Sequence, residues 1–320
     1  MKHLLIGIVI MTTEYALCPL YPFGSDLDVL CFSNNIKVEK APKWFKDLLS
    51  EHCLGRYNFW DDSDKVNKVW LASLDYKDTS LYNIDPRKTD TPELISSLFS
   101  LKTEEFTFCF ITSMRLHNKG LITAGPIAIP TGKQNEYLWL SPSWLNPDYD
   151  YFMEDEAAVF LQEVDIPIIN NIMHNVSNCI NKGCPKSLTV ALDRFHSSYF
   201  LDSAARIIDH MIAFEALYLG GQQELQYKLA LRVAHLIGND LSTRSEIYQD
   251  MRNAYKLRSK IIHGGSDMNI DELSEIVPKT EEYLRISIRK YLSLLAQGFN
   301  FEHVRDKLLD QIILGDKSIV

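Results

Sequence analysis

The chain has 320 residues, 46% of them hydrophobic and 23% charged, which is the balance of a globular protein long enough for two domains. This composition excludes collagen-like, coiled-coil and disordered classes. The formal net charge is −9, so no overall basic field attracts nucleic acid, and any RNA or DNA contact must be a local patch. Arginine is concentrated after residue 190, and its planar, permanently charged fork suits phosphate.

The apolar segment 4–11 resembles a signal peptide only superficially, because it is short and has no small-residue cleavage site. We expect a buried strand there, and no stretch approaches the length of a membrane span. Six cysteines are scattered along the chain. Cys179 and Cys184 have no second Cys or His pair at ligand spacing, so we expect reduced thiols in a cytoplasmic protein that needs no metal and no cofactor.

Residues 1–148 have the mixed pattern of an α+β domain of unknown type. Runs of β-branched and aromatic residues predict strands, and prolines at first helical positions predict helices. The predicted strands are 4–11, 28–32, 69–74, 105–112, 120–129 and 137–140, and the predicted helices are 42–52 and 92–101. Residues 142–150, which contain two prolines, predict a linker. We expect this domain to sense a trigger, bind a partner or select substrate.

Residues 150–320 change to a period of 3.6 and predict an all-α helical bundle. The predicted helices are 152–181, 187–219, 223–237, 243–262, 271–297 and 301–314, with glycines after the second, third and fourth. Thr243 and Glu246 have the spacing of a capping box that opens the fourth helix. Pro278 is expected to kink or split the fifth.

A short segment of the first domain, Gly24-Ser25-Asp26-Leu27-Asp28, has the residue types of minimal nucleotidyltransferases. In that fold a loop separates the phosphate-binding turn from the two metal-binding carboxylates. Here the two elements are fused, which favours an Asx-type turn entering a strand. Nucleotide transfer through Asp26 and Asp28 remains a weaker hypothesis.

The end of the fourth predicted helix places Arg258, Ser259 and His263 just before a Gly-Gly pair. At about 100° per residue, His263 lies under Ser259, and the long Arg258 side chain reaches the space beside the imidazole. An imidazole can give and take protons near neutral pH, and a guanidinium supplies fixed positive charge for a developing phosphorane. These groups suffice to cleave RNA through its own 2′-hydroxyl without a metal. The alternative is a C-capping histidine and a solvated arginine.

Three blocks in consecutive predicted helices, residues 206–218, 227–234 and 255–264, together resemble a HEPN domain, in particular its ApeA-like branch. The resemblance covers roughly residues 187–297. It implies a metal-independent endoribonuclease whose Arg258 and His263 line a cleft between two protomers. Ser259 stands where many active members carry Asn, Asp or His.

The resemblance also implies a setting in prokaryotic defence, toxin–antitoxin or stress response, with an RNA substrate, a homodimer and an antitoxin or regulatory partner. We expect His263 to act as general base and acid, Arg258 as transition-state anchor and Ser259 as an orienting hydroxyl. The alternative is a non-catalytic HEPN-like dimerisation and interaction module.

Further residues beside this element are candidates for RNA binding or for structure. Arg252, Lys256 and Tyr255 extend a phosphate-binding patch, although a solvated surface for the two cations and a core position for Tyr255 are the alternatives. Glu215 and Arg232 lie on predicted apolar faces of neighbouring helices. Since a buried charge needs a partner, we expect a structural ion pair between them, with a catalytic role as the alternative.

Overall fold

The computed structural model describes residues 15–21, 23–33, 36–53, 69–75, 107–118, 120, 122–130, 137–140, 159–220, 225–264 and 270–315. The chain divides into two compact units. Unit 1 comprises residues 1–114 and 120–170, and unit 2 comprises residues 115–119 and 171–320. The predicted boundary at 148–150 lies outside the described residues.

Unit 1 is organised around an antiparallel sheet. Its strands are β1 (Tyr15–Tyr21), β3 (Val29–Phe32), β4 (Ile36–Lys40), β5 (Trp70–Asp75), β6 (Thr123–Ala124), β7 (Ile127–Pro130) and β8 (Tyr137–Leu140). The order is β3-β4-β5-β1-β7-β8, and β6 pairs with β1. Leu17 lies opposite both Ser73 of β5 and Ala128 of β7, so β1 is central. A sheet followed by helices agrees with the predicted α+β and all-α order.

Both faces of this sheet are buried near its centre. Helix α1 (Lys43–Cys53) covers one face, where Phe45 and Leu49 pack with Leu17 and Leu71. On the opposite face, aligned residues of neighbouring strands are also buried: Cys18, Leu30, Val38 and Ala72. The alternation of buried positions along each strand follows from the two-residue period of side chains in a sheet.

A second, two-stranded sheet pairs β2 (Phe23–Ser25) with β9 (Val159–Leu161) in parallel. The Ser25 hydroxyl donates to the carbonyl of Leu161 at 2.8 Å and accepts the backbone N–H of Leu27 at 3.1 Å. The turn after β2 is therefore closed by a serine, not by an aspartate as predicted. Asp28 is exposed and forms an ion pair with Lys40 at 3.3 Å.

Unit 2 is a helical assembly. Its helices are α3 (Asp165–Asn181, from residue 171), α4 (Lys186–Ser198), α5 (Ser203–Tyr218), α6 (Leu225–Ile237), α7 (Leu241–Ile262) and α8 (Ile270–Ala296). Three consecutive segments, Phe301–His303, the π-helical Val304–Leu308 and Leu309–Ile313, form a last described helix, α9. The predicted apolar stripe of α5 is confirmed, since Ile207, Met211, Phe214 and Tyr218 are all fully buried. None of the helices described is long and apolar enough to cross a bilayer.

Several predicted elements are confirmed. Strands over 28–32, 69–74 and 137–140 and the helix over 42–52 correspond to β3, β5, β8 and α1. The 120–129 run forms two short strands, β6 and β7, not one. The predicted strand 4–11, helix 92–101 and linker 142–150 lie outside the described residues.

Other predictions are wrong. A strand was predicted over 105–112, but residues 107–117 form a helix, α2, because tertiary burial on several sides overrides the β-branched composition. Residues 159–161 form β9, not helix, and the helix predicted over 187–219 is divided by residues 199–202. The split that was one of the two outcomes predicted for Pro278 does not occur, since α8 continues through this residue.

The starts of α5 and α7 are set by aspartates. Asp202 accepts the backbone N–H of Ala205, and Asp240 accepts both the N–H and the hydroxyl of Thr243 at 2.9 Å. Thr243 was predicted to cap α7, but Asp240 is the N-cap and the helix starts two residues earlier. Aspartate is favoured there because its short carboxylate reaches an N–H that has no partner within the helix.

Buried polar side chains connect α2, α4 and α8 within unit 2. Arg115 donates to His196 Nδ1 at 2.7 Å, and Arg285 donates to the Arg115 carbonyl at 2.8 Å. Arg285 also pairs with Glu281 and Glu282. Because a guanidinium can only donate, the His196 Nδ1 must accept, which fixes the neutral ring with its proton on Nε2. Burial, and then the Arg115 charge, hold the pKa of His196 well below its ordinary value.

His210 is a second histidine kept neutral by the fold. Its Nδ1 lies 2.9 Å from the Thr280 hydroxyl, which itself donates to the Val277 carbonyl. The Thr280 oxygen therefore accepts, and His210 carries its proton on Nδ1. Burial lowers the pKa of His210 to about 3, with help from the charges of Arg206 and Arg285.

We predict that acid destabilises unit 2 through His210 and His196. An unfolded histidine takes up a proton near pH 6.5, whereas the folded His210 stays neutral down to about pH 3, so the free energy of unfolding falls as pH drops below about 6.5. The expected slope is up to about 1.4 kcal/mol per pH unit for each histidine. Urea unfolding between pH 7.5 and 5 measures it, and His210→Gln should flatten the slope. A matched change at the exposed His303 should leave the slope intact; equal slopes for wild type and His210→Gln would contradict the prediction.

Candidate functional site at the end of α7

Helix α7 has a core-facing side and a side that water reaches. Ile247, Asp250, Met251, Ala254 and Leu257 are buried. On one flank of this buried side, a stripe of partly exposed residues runs toward the helix end: Tyr248, Arg252, Tyr255, Arg258 and Ser259. The stripe follows from spacings of three and four residues, which stack side chains on one helical face. We call these five residues the α7 stripe.

Arg258 is held between α7 and α5. Its Nη1 lies 3.7 Å from Glu215 Oε1, and the two side chains are 24% and 26% exposed. Its guanidinium also lies over the Tyr255 ring, 5.8 Å from the centroid. The distance of 3.7 Å makes an ion pair but not a hydrogen bond. Correspondingly, Arg258 Nε and Glu215 Oε1 are both buried without a hydrogen-bond partner.

His263 follows the last residue of α7 and is exposed. Its backbone N–H donates to the Ser259 carbonyl at 3.1 Å, so it closes the last turn. Gly264 then adopts the left-handed conformation, with φ of 69°, which ends the helix as the Gly-Gly pair predicts. Within the part of the chain that the structure describes, neither the His263 ring nor the Ser259 hydroxyl has a hydrogen-bond partner.

The structure brings Arg258 and Ser259 onto the α7 stripe and places His263 at its end. Among the described hydrogen bonds, none joins Arg258 to His263. Their positions differ by five, which corresponds to about 140° around the helix axis. Within one protomer, the two side chains therefore leave the helix in different directions. A substrate that contacts both must therefore wrap around the end of the helix or lie in a groove completed by other residues.

The predicted RNA-binding residues lie beside this end. Lys256 is exposed, and Arg252 is partly exposed with its guanidinium 5.6 Å from the Tyr248 ring centroid. Tyr255 is partly exposed and is not a core residue. Its ring lies against the Arg258 guanidinium. Alternating cations and aromatic rings are suited to phosphate and base contacts, respectively.

The predicted ion pair between Glu215 and Arg232 is not formed. Glu215 faces Arg258, while the fully buried Arg232 pairs with Asp310 of α9 at 2.8 Å. Arg232 Nη1 also donates to the Tyr218 carbonyl at 2.6 Å. The expectation that Arg232 is a buried, paired, structural cation is right, but its partner lies 78 residues away and has no marker in the sequence.

Over the described ranges, no three His, Cys, Asp or Glu side chains are grouped as metal ligands. Asp26 and Asp28, the candidates for nucleotide transfer, are both exposed, and Asp28 pairs with Lys40.

We predict that Asp310→Ala destabilises the protein more than Arg232→Met does. The first change leaves a fully buried guanidinium with only a carbonyl partner and should lower the free energy of unfolding by about 2–3 kcal/mol. The second leaves a half-exposed carboxylate that water can solvate. Urea unfolding should therefore show that the double variant is more stable than Asp310→Ala alone. Glu302→Ala, an exposed carboxylate on the same helix, is the control; a double variant that is less stable than both singles would contradict this account.

Comparison with protein-family models, with curated proteins and with solved structures finds no match to this chain.

Proposed function

We propose that the protein is a metal-independent endoribonuclease of HEPN type, with the end of α7 as its active site. The observation that carries the proposal is that one helix end bears both an exposed His263 and a partly buried Arg258 with an unused donor. The resemblance of the three sequence blocks to HEPN domains supports the same reading, as does a helical unit that contains all three blocks.

Arg258 is suited to hold a phosphate because its present contacts leave it incompletely satisfied. A buried donor without an acceptor costs about 1–3 kcal/mol, and a phosphate removes that cost if the side chain, which is 24% exposed, turns so that Nε donates to it. The Glu215 carboxylate holds the guanidinium toward α5 without binding it tightly, since the atoms stay 3.7 Å apart.

The reaction proceeds through the RNA's own 2′-hydroxyl. A neutral His263 imidazole takes the 2′ proton, the 2′-oxygen attacks phosphorus, and the bond to the 5′-oxygen breaks as an imidazolium gives it a proton. The products are a 2′,3′-cyclic phosphate and a 5′-hydroxyl. Arg258 stabilises the extra negative charge on the phosphorane, and Ser259 orients the phosphate.

A second protomer completes the site in this proposal. One copy presents Arg258 and His263 about 140° apart around α7, and a two-fold axis at the helix end brings two copies of each residue to one groove. Ile262, an exposed apolar side chain in the last turn of α7, is available for such a contact. The setting would be prokaryotic defence or stress response, with RNA as substrate and unit 1 as the sensor or partner-binding region.

The first test is RNA cleavage in EDTA. We expect wild type to cut RNA into fragments with 2′,3′-cyclic phosphate ends, and 2′-O-methylated RNA to resist. His263→Ala should lower kcat by about 10²–10⁴-fold because it removes the general base, and Arg258→Ala by about 10²–10³-fold because it removes charge from the transition state.

Two controls match these variants. His303→Ala removes another exposed imidazole, and Lys260→Ala removes another cation from the last turns of α7. Both should retain activity. Cleavage by His263→Ala at the wild-type rate would refute the assignment of the site.

A binding test addresses Glu215. In a His263→Ala background, which leaves RNA intact, Glu215→Gln removes the carboxylate that competes with phosphate for Arg258. The Kd for RNA should fall by about five-fold, which corresponds to about 1 kcal/mol. Glu246→Gln, which changes an exposed carboxylate of α7, the helix that carries Arg258, should change Kd less. Weaker binding by Glu215→Gln would show that Arg258 serves structure and not RNA.

The second candidate is a non-catalytic interaction module in which unit 2 dimerises. The observation that favours it is the Arg258–Glu215 pair, which gives the arginine a structural partner within one chain. This candidate predicts that the Arg258→Ala, His263→Ala double variant keeps both its cellular function and its sedimentation as a dimer. Loss of cellular function with an intact dimer would exclude it.

A further inference from the structure

Two cysteines lie side by side where α3 ends and α4 begins. Cys179 occupies the last turn of α3, and Cys184 lies in the short connection, just after Gly183, whose φ of 83° is left-handed. Pro185 is the N-cap of α4. This turn returns the chain so that Cys184 Sγ lies 2.9 Å from Cys179 Sγ. Both side chains are present as thiols.

The two thiols differ in access to water. Cys179 is 8% exposed, whereas Cys184 is only partly buried. The hydrogen bond with Cys179 lowers the pKa of Cys184 to about 7, and Thr189 contributes in the same direction; burial and the nearby Asp193 carboxylate oppose the shift. Cys184 is therefore an accessible sulfur that carries thiolate near neutral pH, with a second sulfur directly behind it.

We propose that Cys179 and Cys184 are a reversible thiol–disulfide pair that hydroperoxides oxidise. The sulfurs must approach by only about 0.9 Å to reach a disulfide bond length of about 2.04 Å. Four residues connect them, and the left-handed Gly183 turns the chain back so that the two sulfurs meet.

The chemistry balances in two steps. The Cys184 thiolate attacks one oxygen of the hydroperoxide, so that an S–O bond forms, the O–O bond breaks and an alcohol, or water from hydrogen peroxide, leaves. The Cys179 sulfur then attacks the resulting sulfenic acid; the S–S bond forms, the S–O bond breaks and water leaves. Two thiols are oxidised and one peroxide is reduced. A dithiol reductant reverses the change.

A metal site explains these two cysteines less well than a thiol–disulfide pair does. Two thiolates need two further ligands for a tetrahedral zinc site, and no group of three candidate ligands occurs among the described residues. The nearby His174 ring lies 2.8 Å from the Asn178 amide, one turn before the pair along α3.

The sequence provides a direct assay in the full-length protein. Lys182 lies between the two cysteines and Glu163 precedes them, so trypsin with a glutamate-specific protease separates a Cys179 peptide from a Cys184 peptide. After treatment with hydrogen peroxide, mass spectrometry should recover these two peptides joined, 2 Da lighter than their sum, and dithiothreitol should separate them. Alkylation of Cys184 by iodoacetamide should follow a pH profile with a midpoint of about 7.

Single variants establish the roles. In Cys179→Ser, Cys184 should stop at a sulfenic acid that dimedone traps, whereas in Cys184→Ser the buried Cys179 should remain unreacted. Cys31→Ser removes an exposed cysteine of β3 and should leave the joined peptides unchanged. The proposal is overturned if Cys31 is oxidised at peroxide concentrations that leave Cys179 and Cys184 as separate thiol peptides, or if Cys184 couples to other cysteines in preference to Cys179.

Discussion

Buried guanidinium groups constrain the helical unit more than any other feature. In the described part of the chain, Arg115, Arg232 and Arg285 are almost entirely enclosed. A buried charge is tolerated only when it is paired and its donors are satisfied. Each of these arginines has at least one acceptor on an element that is distant in sequence, namely His196 for Arg115, Asp310 for Arg232 and the Arg115 carbonyl for Arg285. The packing of the helices must therefore bring these acceptors into place.

Buried hydrogen bonds, including one from Arg232, also hold the end of α5, which contributes Glu215 to the candidate site. Arg232 donates to the Tyr218 carbonyl, the Tyr291 hydroxyl donates to the Leu217 carbonyl, and the Tyr218 hydroxyl donates to Ser287. These bonds fix the last turn of α5 against α6 and α8. Glu215 is one turn earlier on the same helix, so the carboxylate that faces Arg258 is held by groups that do not touch the site.

The sequence predicted the structure correctly where interactions between residues close in sequence decide it. The 3.6-residue stripe of α5 and the Gly264 stop after His263 both follow from backbone geometry and nearby burial. Prediction failed where distant contacts decide. The 105–112 run has strand composition, but its described residues, 107–112, belong to a helix, and Thr243 has the spacing of a cap although Asp240 takes that role. Arg258 and His263 could be identified as candidates from spacing, but the Glu215 partner of Arg258 and the Asp310 partner of Arg232 could not, because periodicity carries no information about which helices meet.

The arginines differ in how completely their N–H donors are hydrogen-bonded, and this difference indicates their roles. Arg232 has a carboxylate and a carbonyl within hydrogen-bond distance, and Arg285 has two carboxylates, a carbonyl and a hydroxyl. Arg258 has only a carboxylate at 3.7 Å, the Tyr255 ring and a buried Nε without an acceptor. A fully satisfied guanidinium gains little from an added anion, since binding must first break existing bonds, whereas an incompletely satisfied one gains a charge-assisted hydrogen bond outright. Of these three arginines, Arg258 is the one that is both partly exposed and incompletely hydrogen-bonded, and it is therefore the best suited to bind a phosphate.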